Sequence, residues 1–232
     1  MLSNKDIEKI IGDTLGQKEE LKEALVVTPR PFNLPTEFQS SATKTAHFEL
    51  YENYIKSFNK ISAELDSVDR SDVDSNSSQF RSLKIDETYN LNAIYLHELY
   101  FANVSDLTSK ITTESLPYIR LSRDWGDFDR WQVDFLACCR SSRCGWAMTV
   151  YNFFTQTYSN CVVDLHSLQV PIGCFPIIVM DVWQHAYYRD YLRDVKTYSA
   201  AQMKELNWRA IEDRMRRVEA ASQAMKGALS LP

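Results

Sequence analysis

The sequence predicts an α+β chain in two parts, with long helices first and a few strands among later helices. In the first half, apolar residues recur at helical spacing over long stretches. Further along, short runs become dense in aromatic and β-branched residues, a texture that favours strands. The 232-residue chain has room for one large domain or two small ones, at about 150 residues per domain. We expect the two parts to meet near residues 110–120.

Composition and charge exclude several classes of protein. The chain is 44% hydrophobic and 25% charged, which is ordinary for a globular protein with a packed core. Its 26 basic and 31 acidic residues give a net charge of −5, so we expect no nucleic-acid partner, which would require a basic surface. No run of about 18 apolar residues is present, so we expect no membrane partner. Five cysteines without C-x-x-C spacing argue against a disulfide framework and a cysteine zinc site, and favour an intracellular, cytoplasmic protein.

Residues 1–28 form a separate N-terminal segment. Apolar residues recur there near helical spacing, which predicts one or two amphipathic helices. The segment lacks the basic, apolar and small-residue order of a signal peptide. Pro29, Pro31 and Pro35 then end the helical pattern. We expect this helical extension either to pack on its own domain or to dock on a protein partner.

Three further helices are predicted before the first strand. The apolar pattern indicates helices over residues 43–65 and 88–103, separated by a polar loop at 66–79 that is rich in Ser and Asp. A third helix spans residues 128–140. Asp127 is a suitable N-cap for it, because a carboxylate can accept a backbone N–H of the first turn.

The strands follow these helices. Residues 146–154, 161–165 and 177–182 are the runs that favour strands. Residues 199–227 return to a helical texture. Four arginines of this last stretch alternate with acidic residues, which predicts a solvated helix face. They are Arg209, Arg214, Arg216 and Arg217.

The chain contains only four histidines, and one lies in an unusual segment. Residues 181–188 read D-V-W-Q-H-A-Y-Y, so a carboxylate (Asp181) and an imidazole (His185) lie four residues apart after an apolar strand. Burying a carboxylate is costly unless a partner or a metal compensates it. One carboxylate with several imidazoles suits iron, manganese or zinc. Taken singly, each histidine is also compatible with a purely structural, hydrogen-bonded role.

This segment resembles the D-V-W-E-H-A-Y-Y signature of iron/manganese superoxide dismutases, and only Gln184 departs from it. The resemblance covers about residues 30–217, through several shorter matches. These are T-x-x-x-H at 43–47, L-H-E-L-Y-F at 96–101, D-W-G-D-F-D at 124–129, G-W-A at 145–147 and N-W at 207–208 with Arg214 downstream.

The resemblance implies a fold and a domain division. It implies an N-terminal antiparallel hairpin of long helices over residues 29–113. It implies a C-terminal α/β domain over residues 114–232, which carries the D-V-W-Q-H segment on a small, mainly antiparallel three-stranded sheet. Residues 1–28 remain outside the family pattern as a helical extension.

The resemblance also implies a metal site. It assigns one iron or manganese ion per chain to four ligands, namely His47, His97, Asp181 and His185. The family places a further hydrogen-bonding side chain beside this site. In iron-type members this side chain comes from a position that corresponds to Ala93, and in manganese-type members from a position that corresponds to His166. His166 favours the manganese-type source of this group, but some iron-using members also carry His there, so the metal stays open.

Two positions on the first helix depart from the family pattern around substrate access. Tyr51 replaces a second histidine that normally lines this access. Tyr54 lies one residue early for the tyrosine of the proton path, and Ile55 occupies the ungapped place. Either a one-residue slip restores Tyr54 to this role, or the path is altered.

The expected pocket walls and dimer surface also include departures. Phe101 and Met148 stand where the family usually has Trp, and Trp146 and Trp183 are expected to complete the pocket. Gln184 replaces a Glu that normally reaches across a homodimer to the ligand His of the other subunit. Tyr187 is expected at the same interface.

Two functions are therefore weighed. The first is a superoxide dismutase, which converts superoxide to dioxygen and hydrogen peroxide by redox cycling of one iron or manganese ion. The second is a structural subunit of a larger assembly, ribosomal or virion-like, on the same fold with little or no activity. The complete ligand set favours the enzyme, whereas the extension and the departures favour the structural subunit.

Overall fold

The computed structural model describes residues 25–71 and 73–225 of the chain. Most of the predicted N-terminal extension, and the last residues of the predicted C-terminal helix, lie outside the described residues. Within these ranges the chain forms seven helices and one three-stranded sheet. The predicted α+β class, with its helical N-terminal part and small antiparallel sheet, is confirmed. No helix in the described ranges is long and apolar enough to cross a membrane.

Two long helices, α1 (Ser41–Ser67) and α2 (Gln79–Asn103), form an antiparallel hairpin. Ring contacts show this arrangement, because His47 lies against His97 whereas Tyr54, further along α1, lies against the earlier Tyr89. Helix α2 begins earlier than the predicted Thr88. The Ser78 hydroxyl accepts the backbone N–H of Arg81 at 3.1 Å, and this cap extends the helix into the polar segment.

Helices α3 (Leu116–Trp125) and α4 (Phe128–Ser141) follow the hairpin. The predicted N-cap of α4 is confirmed, since the Asp127 carboxylate accepts the backbone N–H of Arg130 at 2.7 Å. Helix α3 was not predicted. It ends at Gly126, whose φ of 88° lies in the left-handed region that glycine adopts without strain.

The sheet has the order β2-β1-β3, and both pairings are antiparallel. Strand β1 spans Gly145–Asn152, β2 spans Thr157–Asp164 and β3 spans Cys174–Asp181. Central β1 is buried along nearly its whole length, as its continuous apolar run requires. A side chain at Gly145 would clash with the carbonyl oxygen of Val163, so glycine is needed where β1 meets β2.

Three helices complete the described chain, α5 (Gln184–Tyr191), α6 (Val195–Lys204) and α7 (Trp208–Ala224). The helical stretch predicted over 199–227 is therefore parts of two helices. The break has a local cause, because the Asn207 side chain caps α7 by accepting the backbone N–H of Ala210. The backbone N–H of Asn207 also donates to the carbonyl of Asn103, which joins this break to the end of α2.

The segment before α1 is extended and lies along the hairpin. The backbone N–H of Leu25 donates to the Ser62 hydroxyl, and that of Val27 donates to Asn59 Oδ1. The Asn59 amide in turn donates to the Val27 carbonyl. All five cysteines, which lie in the described ranges, are free thiols, as the sequence predicted.

Candidate metal centre

Four side chains from both halves of the chain converge at one buried point. They are His47 on α1, His97 on α2, Asp181 at the end of β3 and His185 on α5, and their ligand atoms all lie within 4.8 Å of one another. The structure thus brings together the four residues that the sequence singled out. This is the arrangement that can hold a metal ion.

Asp181 is the centre of this cluster. Its Oδ2 lies 3.0 Å from His47 Nε2, 3.1 Å from His185 Nε2 and 3.7 Å from His97 Nε2. Its other oxygen accepts the backbone N–H of Trp183 at 2.8 Å, which fixes the carboxylate plane. Burial raises the pKa of Asp181, but His185 and His47 outweigh burial and leave that pKa well below its usual value.

His97 provides the test of whether a metal fits. Its Nδ1–H donates to the Ala93 carbonyl at 2.6 Å, so its Nε2 carries a lone pair when the ring is neutral. Burial holds the pKa of His97 well below its usual value, so the ring is neutral near pH 7. That buried Nε2 has no hydrogen-bond partner and faces the Asp181 carboxylate. A lone pair aimed at an anionic oxygen is unfavourable unless a cation lies between them, so the donor set fits a metal.

The proton on His166 is assigned by its neighbours. The Trp146 Nε1–H donates to His166 Nδ1 at 3.0 Å, and an indole nitrogen can only donate. Burial lowers the pKa of His166 to about 4, so the ring is neutral near pH 7. Its single proton therefore lies on Nε2, which donates to Tyr54 Oη at 3.0 Å. The Asn92 side chain donates to the His166 carbonyl at 2.9 Å and anchors its backbone.

Tyr54, rather than Ile55, faces this site. The two tyrosine spacings considered, seven or eight residues after His47, both return to nearly the same face of a helix. Ile55 is buried in the core, whereas Tyr54 reaches His166. Burial, followed by the nearby Tyr89, raises the pKa of Tyr54, so the phenol keeps its proton.

Tyr51 makes contacts that the sequence did not predict. Its hydroxyl donates to Glu98 Oε1 at 2.9 Å and accepts the backbone N–H of Arg30 at 3.1 Å. Glu98 also pairs with the Arg30 guanidinium at 3.2 Å. Burial raises the pKa of Tyr51 to about 12. Tyr51 is fully buried and holds the N-terminal segment on the hairpin. No local sequence pattern predicted its contacts with Glu98 and Arg30.

Aromatic side chains form most of the wall around the four candidate ligands. The Phe101 ring lies 5.2 Å from that of His47, and the Trp146 ring meets His97 edge-on at 5.0 Å. The Trp183 ring stacks on those of His185 and His166, with ring centroids 5.9 Å and 5.0 Å apart, respectively. Met148 has a different place, because it lines a mainly apolar cavity of about 160 Å³ together with His166.

The two residues expected at a dimer interface differ in exposure. Gln184 is exposed at the start of α5. Tyr187 is mostly buried in its own chain, where its ring packs on Tyr198 at 5.3 Å. The neighbouring Tyr188 is exposed. The interface role of Gln184 and Tyr187 stays a prediction.

Comparison with known proteins finds a family and several relatives to which this chain is similar. Residues 118–214 match the family described as iron/manganese superoxide dismutases, C-terminal domain. The superoxide dismutase of Aquifex pyrophilus, named as an iron protein, is 32% identical over 184 residues, 78% of this chain and 85% of that relative. A superoxide dismutase of Halobacterium salinarum, named as a manganese protein, is 32% identical over 123 residues, 53% of this chain and 60% of the relative. A manganese-named relative from Haloferax mediterranei is 36% identical over 104 residues, 45% of this chain and 71% of the relative.

Proposed function

The chain belongs to the iron/manganese superoxide dismutase family, and we propose that it disproportionates superoxide at one iron or manganese ion held by the four converging side chains. Those side chains are His47, His97, Asp181 and His185. The observation that carries this ligand assignment is the buried Nε2 of His97, which faces the Asp181 carboxylate without a hydrogen-bond partner. Both named metals occur among the relatives, so either remains compatible with the site.

The reaction needs a source of single electrons and a separate source of protons. One superoxide gives up an electron and leaves as dioxygen, and another gains an electron and two protons to become hydrogen peroxide. When bound, iron or manganese supplies the one-electron couple between its trivalent and divalent states. The protein's part is to fix the donors: the Ala93 carbonyl orients His97, and the Trp183 N–H orients Asp181.

Tyr54 and His166 are the proposed proton path. His166 donates from Nε2 to Tyr54 Oη, so the phenol proton of Tyr54 points to another acceptor, and the Tyr89 hydroxyl is one such partner. The pKa of Tyr54 is raised, so the phenol is a proton donor that remains loaded near neutral pH. A superoxide-derived oxygen within hydrogen-bond reach of Oη would receive this proton.

We also propose that the chain is a homodimer that acts inside the cell, in the cytoplasm. The exposed ring of Tyr188 and the exposed Gln184 next to the ligand His185 support an interface on α5. Sedimentation velocity should show a dimer for the full chain, and Tyr188→Asp should shift it toward monomer. A monomeric parent protein would contradict this proposal.

The domain division and the N-terminal extension are proposals too. The metal would join residues 29–113, which supply His47 and His97, to residues 114–232, which supply Asp181 and His185. Residues 1–28 are proposed to bind a protein partner. Two apolar side chains at the described end of this segment, Leu25 and Val26, are exposed and so are available for such a contact.

The test is to reconstitute the purified full chain separately with iron and with manganese. Superoxide disproportionation should be far faster than in His185→Ala protein treated identically, and the more active metal identifies the cofactor. One metal bound per chain without activity would overturn the enzyme and favour the structural subunit. No bound metal in either preparation would overturn the ligand assignment.

A further inference from the structure

A surface cavity that none of the four candidate metal ligands lines contains an arginine without an ion pair in the described part of the chain. It has a volume of about 570 Å³ and lies between α7 and the ends of two strands. Its main lining residues are Phe153, Phe175, Arg214, Arg217, Val218 and Ala221. Pockets that bind small molecules have volumes of about 300–1,000 Å³ and are mostly apolar with a few polar groups. This cavity has that size and composition.

Arg214 is the unusual member of this lining. Its Nη1 donates to Asn103 Oδ1 at 2.8 Å and to the Ile177 carbonyl, and both acceptors are uncharged. No carboxylate in the described part of the chain forms an ion pair with it. Burial lowers its pKa to about 10, because removal from water disfavours the charged form. A guanidinium held this way is costly unless an anion comes to it.

The other nitrogens of Arg214 remain available. Nε and Nη2 make no hydrogen bond to any residue that the structure describes, and the cavity reaches this side chain. Arg217, one helical turn later, is exposed and also lines the cavity. It likewise makes no ion pair within the described ranges. Asp213 is the one acidic residue of the lining, so the two arginines leave a net positive charge.

The apolar part of the lining determines the rest of the ligand. The rings of Phe153 and Phe175 belong to the two strand ends, and Val218 and Ala221 belong to α7. Phe175 is itself held edge-on by Tyr95, with ring centroids 6.3 Å apart. Flat aromatic surfaces favour a flat apolar body through stacking or edge contacts.

We propose that this cavity is a binding site for a small aromatic monocarboxylate, with the carboxylate on Arg214 and Arg217 and the ring between Phe153 and Phe175. Guanidinium groups suit a carboxylate because their planar N–H donors match its two oxygens. The site does not depend on the proposed metal chemistry, since none of the four metal ligands lines it.

The probe for this site is 2-naphthoate, and 2-naphthamide is the matched neutral compound. Isothermal titration calorimetry of the full chain should show saturable naphthoate binding with a dissociation constant of about 1 mM or tighter. Naphthamide should bind at least about fivefold more weakly. Equal affinity for the two compounds would overturn the role of the arginines.

Variants at exposed positions keep the test independent of folding, and Arg214 is left intact for that reason. Arg217→Gln should weaken naphthoate binding about fivefold without changing naphthamide binding. Ala221→Trp should fill the cavity and abolish the binding of both compounds. Arg209→Gln removes the same charge from α7 outside the cavity and should change nothing. No saturable binding, or binding that survives Ala221→Trp, would overturn the proposal.

Discussion

Trp146 determines which nitrogen of His166 carries the proton. Trp146→Phe removes the indole donor to Nδ1, so the proton can move to Nδ1, and Nε2 then accepts the Tyr54 phenol proton instead of donating to Oη. We expect superoxide disproportionation per bound metal to fall about tenfold, since lost outer hydrogen bonds cost metal sites about 10- to 100-fold. Stopped-flow decay of superoxide with equal metal loading measures this effect.

A second buried tryptophan provides the matched control. The Trp131 Nε1–H donates to Thr149 Oγ1 at 2.9 Å, and this contact joins α4 to β1 and includes none of the candidate ligands. Trp131→Phe therefore loses a similar hydrogen bond without touching His166. Equal loss of activity in the two variants would show that packing, and not the tautomer of His166, is responsible.

Tyr51 is expected to act on stability more than on catalysis. Tyr51→Phe leaves Glu98 with one donor fewer and the Arg30 N–H without its acceptor. We expect the free energy of unfolding, from urea denaturation of the metal-loaded protein, to fall by about 1–3 kcal/mol. Activity per bound metal should change less than about twofold.

Tyr118→Phe is the control for that loss, because its hydroxyl makes no hydrogen bond to a described residue. It should leave the free energy of unfolding within about 0.5 kcal/mol of the parent. A tenfold loss of activity in Tyr51→Phe would contradict this prediction and would indicate that Tyr51 lines the path that superoxide takes.

The four side chains that converge were all named from the sequence, because short motifs contain them. Asp181 and His185 lie in one segment, and the two other candidate ligands followed from shorter motifs of the same resemblance. The choice between Tyr54 and Ile55 stayed open, because both spacings return near one helix face. The contacts of Tyr51 could not be predicted, since they depend on how the segment before α1 lies on the hairpin.

At the level of elements, long periodic helices were predictable and short ones were not. Helix α3 has only ten residues, two of them buried, so its apolar pattern is too brief to recognise. Strand β2 begins at Thr157, earlier than the apolar run at 161–165. It lies at the sheet edge, where one face is partly exposed and polar residues are tolerated.

The tie between α3 and α7 gives a prediction at this scale. The Glu219 carboxylate accepts two hydrogen bonds from Arg120 and one from the Tyr158 hydroxyl. Burial raises the pKa of Glu219, but these donors outweigh burial and lower that pKa below its usual value. Ionised Glu219 therefore stabilises the fold at pH values above the usual pKa, and this stabilisation is lost as pH falls through the lowered pKa.

We expect Glu219→Gln to reduce the free energy of unfolding by about 1–2 kcal/mol near pH 7, with the difference from the parent shrinking at acid pH. Urea denaturation at several pH values measures this difference in the free energy of unfolding. Glu212→Gln, which breaks an exposed pair with Arg216 on the same helix, should cost less than about 0.5 kcal/mol. A Glu219→Gln deficit that is the same at every pH would contradict the assignment.

For the whole molecule, the candidate metal centre lies where the two halves of the chain meet. The hairpin supplies His47 and His97, whereas the end of β3 and α5 supply Asp181 and His185. Without a cation, the fully buried carboxylate of Asp181 would have only imidazoles and one backbone N–H to compensate its charge. A ligand that binds only the folded state adds its binding free energy to stability. Metal binding should therefore stabilise both halves together.

We expect metal removal to lower the thermal midpoint by about 10 °C in one cooperative transition. A metal present at about 1,000 times its dissociation constant contributes about 4 kcal/mol, and a chain of this size shifts about 2–4 °C per kcal/mol. Differential scanning calorimetry of metal-free and reconstituted protein measures the shift. His166→Gln keeps all four ligands and should retain the shift, whereas His97→Gln should lose most of it. A full shift in His97→Gln would place the metal elsewhere, because the unpartnered Nε2 of His97 is the atom from which the site was inferred.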